Sequence, residues 1–132
     1  LLFKTAMLAS FCTKLADTTS SELGKAFGRH TILLTNFKRV PAGTEGGVSI
    51  EGTIAGILAS VMLAGVGVSL GITTVQGGVI SVISAFLATT AESLIGATWQ
   101  QRYPSIFTNE RVNLINTLIG AVCAYALLSL SL

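Results

Sequence analysis

The sequence predicts an all-α, polytopic membrane helix bundle that carries a glycine-rich polar loop system on one face of the bilayer. Three observations lead there. Only 11% of the 132 residues are charged and 51% are hydrophobic, whereas a soluble domain carries about 25% charged residues. No charged residue occurs from Gly52 to Ala91, and none from Val112 to Leu132. Polar, glycine-containing stretches punctuate these apolar runs. A mean hydropathy of +0.74 agrees, and a net charge of +2 gives no reason to expect a nucleic-acid partner. The two cysteines, Cys12 and Cys123, make neither a disulfide framework nor a zinc site and read as small buried hydrophobes.

The elements follow in order. Residues from about 1 to 16 form an apolar helix that carries Lys4 and Lys14, which suits a lipid-edge or partly buried position. The uncharged run after Glu51 is too long for one crossing, since a span needs about 20 residues. The polar break from Gly71 through Thr73, Thr74 and Gln76 to Gly78 divides it into helices at about 50–70 and 75–97. A last helix covers about 112–132. Polar loops at 17–49 and 98–111 remain. Gly52, Gly56, Ser60 and Ala64 recur every fourth position, one helical row that permits close approach of another helix. Lys25, Arg29, Lys38 and Arg39 in the first loop, with Arg102 and Arg111 in the second, place both loops on the cytoplasmic or stromal side. The turn near Thr73 then lies opposite. Trp99 and Tyr103 read as interface anchors. The opening Leu1-Leu2-Phe3 has neither an initiator Met nor a secretory-signal pattern, which leads to the expectation of a preceding N-terminal part.

The acidic residues concentrate at the face that holds the basic loops. Glu92 is the most telling, because an ionisable group within an apolar helix carries an insertion cost. With Asp17 and Glu22 it forms the expected ligand set for Mg²⁺, a hard cation that takes carboxylates, hydroxyls, water and phosphate oxygens. Thr18 and Ser21 lie between those two loop acids, and Lys25 follows. Thr19-x-x-Glu22 alternatively fits a helix-starting capping box. Lys38 stands before Gly43-Thr44-Glu45-Gly46-Gly47, where backbone N–H groups can face an anion. The order of a Walker A loop is absent. Asn113 and Asn116, three apart on one helix, add polar groups to an apolar span; they would hydrogen-bond either a neighbouring helix or a phosphate.

The blocks Leu15–Gly28, Phe37–Thr53 and Ala91–Gln100, with Val112-Asn113-x-x-Asn116, resemble the DUF92 / TMEM19-like membrane proteins. Within that family they are similar to the phytyl-phosphate kinases of tocopherol (vitamin E) synthesis, of which this chain resembles the C-terminal half. The resemblance implies phosphoryl transfer from a nucleoside triphosphate, with CTP the expected donor, to phytyl monophosphate, giving phytyl diphosphate. It implies a prenyl-phosphate lipid partner and a cyanobacterial or plastid membrane. Read onto the chain, Asp17, Glu22, Lys38 and Glu92 are the expected catalytic residues, the three acids holding the metal. Alternatives are another CTP-dependent prenol kinase or cytidylyltransferase, and a non-catalytic transporter or structural subunit.

Overall fold

The computed structural model describes residues 1–131. It is an up-and-down bundle of four helices: α1 (Leu2–Phe27), α2 (Ile50–Ser69), α3 (Val75–Ile95) and α4 (Asn109–Ser131). Three of the helical stretches, Ile50–Ser69, Val75–Gln100 and Asn109–Ser131, are long and apolar enough to cross a membrane. The protein is an integral membrane protein. Its broad exterior of Leu, Ile, Val, Phe and Met side chains faces hydrocarbon, where only structures that satisfy their own backbone persist.

The helix starts have local causes. Ser49 caps α2 by accepting the Gly52 N–H at 3.1 Å, and Thr74 caps α3 by accepting the Gly77 N–H at 3.1 Å. Such side-chain oxygens satisfy amides that the helix itself leaves unpaired. At its other end α3 widens into a π-helical segment, Gly96–Gln100.

One boundary differs from the sequence reading. Asp17 through Lys25 were expected in a loop, but α1 runs unbroken to Phe27. The Thr19-x-x-Glu22 capping box is therefore not formed, because both residues lie inside the helix. Hydroxyl-rich segments compete with their own backbone and read as loops; here packing decides instead. The small faces of Ala16, Ser20 and Gly24 seat against Gly52 and Gly56 of α2. A Cβ on Gly52 would lie 2.5 Å from the Ser20 carbonyl oxygen, and one on Gly56 would lie 2.9 Å from that of Ala16. The Gly52/Gly56/Ser60/Ala64 row is thus the seam between α1 and α2, with all four residues buried. Leu8, Cys12, Ala16, Ala64 and Ala85 continue this core. On the other side Gly120 of α4 receives Thr13, and Ala9, Ile80, Ala124 and Leu128 fill the space beyond.

The segment after α1 is not all loop either. Thr31–Leu33 (β1) pairs antiparallel with Arg39–Val40 (β2) on one side and with Gly47–Val48 (β3) on the other. This small sheet folds the glycine-rich segment back over the bundle end. Its loop is tied to the other connection by Gln101 Nε2, which donates to the Glu45 carbonyl at 3.2 Å. At the far end Thr5 and Thr73 hydroxyls meet at 2.6 Å, and Gln76 Nε2 donates to Ser131 Oγ at 2.9 Å. Both long connections therefore share one end of the bundle, and the Gly71–Thr74 turn occupies the other.

Candidate functional site

Beneath the small sheet, the end of the bundle opens into a cleft of about 490 Å³. All four helices and the glycine-rich loop contribute to it. From α1 come Lys14, Asp17, Thr18, Ser21, Glu22 and Lys25. These positions follow the i, i+3, i+4, i+7 spacing of one helix face, which is why continuing α1 past Ala16 matters for the site. α3 presents Phe86, Thr89, Thr90, Glu92 and Ser93, and α4 presents Asn109 and Asn113.

The charges are organised. Asp17 is buried, 7% exposed, and its Oδ2 lies 3.8 Å from Lys14 Nζ. Lys14 Nζ also donates to Asn113 Oδ1 at 2.9 Å, so one ammonium bridges α1 and α4. Glu92 lies within the fields of Asp17, Glu45 and Lys14. Nearer the rim, Lys25 Nζ contacts Glu22 Oε1 at 3.3 Å, both side chains being more than half exposed. A pair so open to water contributes at most about 1 kcal/mol, so it can exchange partners readily. The hydroxyls of Ser20, Thr53, Ser60, Thr89, Thr90 and Ser93 donate to carbonyls of their own helices or caps. Their lone pairs are what they offer to the cleft.

Most of the residues singled out from sequence come together here: Asp17, Thr18, Ser21, Glu22, Lys25, Gly43, Thr44, Glu45, Gly46, Gly47, Glu92 and Asn113 all line the cleft. Two do not. Lys38 lies outside it, in the exposed turn before β2, where its N–H is held by Asn36 Oδ1 at 3.0 Å. Asn116 is turned inward and is 1% exposed. Three residues on a helix advance by about 300° at 3.6 residues per turn, so Asn116 sits about 60° around from Asn113. That offset takes it off the cleft and into the helix interface, where its amide finds no partner among the described residues.

Lys14 is the charged residue that sequence reasoning missed as part of the site. By sequence alone its place in an apolar helix suits a charge at the lipid edge. Its distance from Asp17, one helical turn, was the available signal.

The glycine-rich loop also differs in role. Thr44 N–H donates to the Pro41 carbonyl at 3.2 Å, and Gly47 N–H donates to the Thr44 carbonyl at 2.9 Å. Those two amides are consumed by the loop's own turns and are not free to meet an anion. Gly46 has φ +76°, and a Cβ there would lie 2.6 Å from the Ser93 carbonyl oxygen and collide with the Ala97 backbone nitrogen. Conversely, a Cβ on Gly96 would lie 2.9 Å from the Gly46 nitrogen. Gly46 and Gly96 are therefore a backbone-to-backbone contact that clamps the loop onto the π-helical end of α3.

The expected three-carboxylate metal site is not assembled. Among the described residues no three His, Cys, Asp or Glu side chains gather within reach of one cation, and Glu22 is engaged by Lys25. The donor chemistry suits a more modest role. Mg²⁺ commonly takes one or two carboxylates and completes its shell with water and substrate phosphates. Asp17 and Glu92 both line the cleft and are the acids that could serve in that way.

A membrane-embedded helix bundle with a charged, hydroxyl-lined cleft at the membrane face is the class that fold and site define. The chain belongs to the DUF92 family of integral membrane proteins, whose profile matches residues 1–121. It is 52% identical over 117 residues to an uncharacterized membrane protein of Synechocystis sp., covering 89% of this chain and 45% of that protein. It is 47% identical over 124 residues to the chloroplastic protein VTE6 of Arabidopsis thaliana, covering 93% and 37%. An uncharacterized membrane protein of Methanocaldococcus jannaschii is 36% identical over 117 residues, covering 87% and 47%. The chain thus spans less than half the length of these relatives. No solved structure matches it.

Proposed function

We propose that this protein belongs to a membrane prenyl-phosphate kinase. It would transfer the terminal phosphoryl group of a nucleoside triphosphate, CTP by preference, to phytyl monophosphate. In that reaction an oxygen of the lipid monophosphate attacks the γ-phosphorus. The bond from that phosphorus to the β–γ bridging oxygen breaks, and the nucleoside diphosphate leaves. The product is phytyl diphosphate.

The observation that carries this reading is the cleft's composition and place. Lys14 and Lys25 meet Asp17, Glu92 and Asn113 at the end of apolar helices, where a lipid's phosphate would stand. The kinship with chloroplastic VTE6 and the resemblance to phytyl-phosphate kinases agree with it. Phosphoryl transfer needs mainly positioning and charge neutralisation. Lys14, half-exposed and held by Asn113 and Asp17, would turn its ammonium to the lipid phosphate on substrate binding. Lys25, loosely paired at the rim, would meet the nucleotide. Asp17 and Glu92 would hold Mg²⁺, which supplies neutralisation of the phosphate oxygens when bound.

The test is direct. Membranes containing the protein are incubated with phytyl monophosphate, Mg²⁺ and each of the four γ-labelled nucleoside triphosphates in turn. Label should appear in phytyl diphosphate, most with CTP. Absence of labelled lipid with all four donors would reject the reading.

A further inference from the structure

We infer that the cleft opens sideways into the bilayer between α2 and α3, and that the prenyl chain of a lipid monophosphate leaves through this opening across Ile57 and Phe86. The identity of the head group rests on the kinase reading; the path of the chain does not.

The geometry of the two helices points to it. α2 and α3 are tight at the end where the short turn joins them. A Cβ on Gly78 would lie 2.8 Å from Val68 Cγ2, and Leu63 and Val82 each pack against the core cluster that holds Ala64 and Ala85. Toward the other end α2 packs on α1 through its glycine seam, and residues of both α2 and α3 line the cleft. On α3 its lining descends from Glu92 to Phe86, and on α2 from Gly52 to Ser60. At 1.5 Å per residue these runs extend about 9 Å and 12 Å along the two apolar helices from the loop end.

The lower end is not closed. Ile57 and Phe86, which line the cleft there, are 37% and 44% exposed. Each side chain faces the cleft on one side and the lipid on the other. The lining also changes character with depth. Glu92, Ser93 and Thr90 stand at the top of the α3 wall, Thr89 stands below them, and Phe86 comes last. A phosphomonoester on a hydrocarbon chain has the same order of polarity, and its chain would never have to leave the apolar phase. A site for a wholly water-soluble substrate has no use for an apolar mouth onto lipid, which exposes its charges to a low-dielectric edge. The occupant is therefore a lipid whose chain lies between Ile57 and Phe86, and on the kinase reading its head group is a monophosphate.

The experiment uses the protein in its membrane with a prenyl monophosphate of twenty carbons that bears a diazirine midway along its chain. After irradiation the labelled residues are mapped by mass spectrometry, and phytyl monophosphate competes. Labelling should concentrate on Ile57, Phe86 and their helix neighbours, and competition should remove it. Phe86→Trp, which fills the mouth, should weaken competition by the twenty-carbon phosphate about tenfold, the equivalent of roughly two methylenes losing their contacts. It should leave competition by a five-carbon prenyl monophosphate within about twofold. Phe86→Ala, which widens the mouth, should retain labelling and so guard against a variant that merely misfolds. Label on the outer face of α4 near Leu114 and Leu118, or label that competitor does not remove, overturns the portal. So does an equal loss for the two chain lengths in Phe86→Trp. Competed label at Ile57 and Phe86 without phosphoryl transfer would reject the kinase reading and leave the portal standing; transfer without such label does the reverse.

Discussion

Replacing Gly46 by alanine isolates the clamp between the glycine-rich loop and α3. Two effects add. The backbone there is left-handed, φ +76°, which costs a residue with a Cβ about 1–2 kcal/mol. The new methyl would also meet the Ser93 carbonyl oxygen at 2.6 Å and Ala97 Cα at 2.7 Å. These are backbone atoms of a helix and cannot swing aside, so overpacking of about 1–3 kcal/mol applies. The expected loss is about 2–5 kcal/mol. Gly43→Ala is the control. Its φ is +90°, but the nearest atom is the Cγ of flexible Lys25, 3.6 Å away, so only the backbone part, about 1–2 kcal/mol, remains. The only tryptophan, Trp99, lies in the π-helical segment that Gly46 touches and packs against Phe107 in a tilted arrangement with ring centroids 5.6 Å apart. Its emission in detergent during denaturant titration reports the clamp directly. Gly46→Ala should melt the Trp99 signal early and Gly43→Ala only slightly. Equal stability of the two variants would refute the packing argument and return Gly46 to the role of a simple turn.

Other predictions follow from the same geometry. Lys14→Gln should lower phosphoryl transfer by about 10²–10³-fold, the usual effect of removing one donor to a developing charge, whereas Lys38→Gln should leave it nearly unchanged; a rate assay on the two variants separates them. Gly65 has open space where a Cβ would stand, so Gly65→Ala should stabilise α2 by about 0.5–1 kcal/mol, read by denaturant titration. Gly120→Ala should cost about 1–3 kcal/mol by overpacking against Thr13, and adding Thr13→Ala should recover part of that loss in a double-mutant cycle. Single cysteines at Thr35 and Thr74 should react with an impermeant reagent from opposite sides of the membrane; reaction from one side would contradict the bundle's placement in the bilayer.

The helical, membrane-spanning character was legible because hydrocarbon burial demands long uncharged runs, and Gly52–Ala91 and Val112–Leu132 supply them. The small-residue row at Gly52, Gly56, Ser60 and Ala64 announced a close helix contact, though not that α1 would be the partner. The misread stretch was Asp17–Lys25. Its hydroxyls and carboxylates favour loops locally, yet the seam against Gly52 and Gly56 holds it helical, and a contact over thirty residues away leaves no mark in a local pattern. The acids could be assigned to one membrane face from topology alone. Which of them share the cleft could not, because that depends on where each helix is rotated. The same limit hid the difference between Asn113 and Asn116, and it concealed that Lys14, not Lys38, reaches the cleft. The π-helical segment and its contact with Gly46 had no sequence signature beyond the glycines themselves.

The account centres on the cleft as the place where phosphate is transferred, and Asp17 and Glu92 test it most directly. Asp17→Asn and Glu92→Gln preserve size and hydrogen-bonding capacity while removing charge. The measurement is the initial rate of label transfer from γ-labelled CTP to phytyl monophosphate in membranes holding equal amounts of inserted wild-type or variant protein, across a range of Mg²⁺ concentrations. The account predicts that each substitution lowers the rate by about 10²-fold or more, with a raised Mg²⁺ requirement and an unchanged Trp99 emission spectrum. Wild-type rates and an unshifted Mg²⁺ dependence in both variants would contradict it.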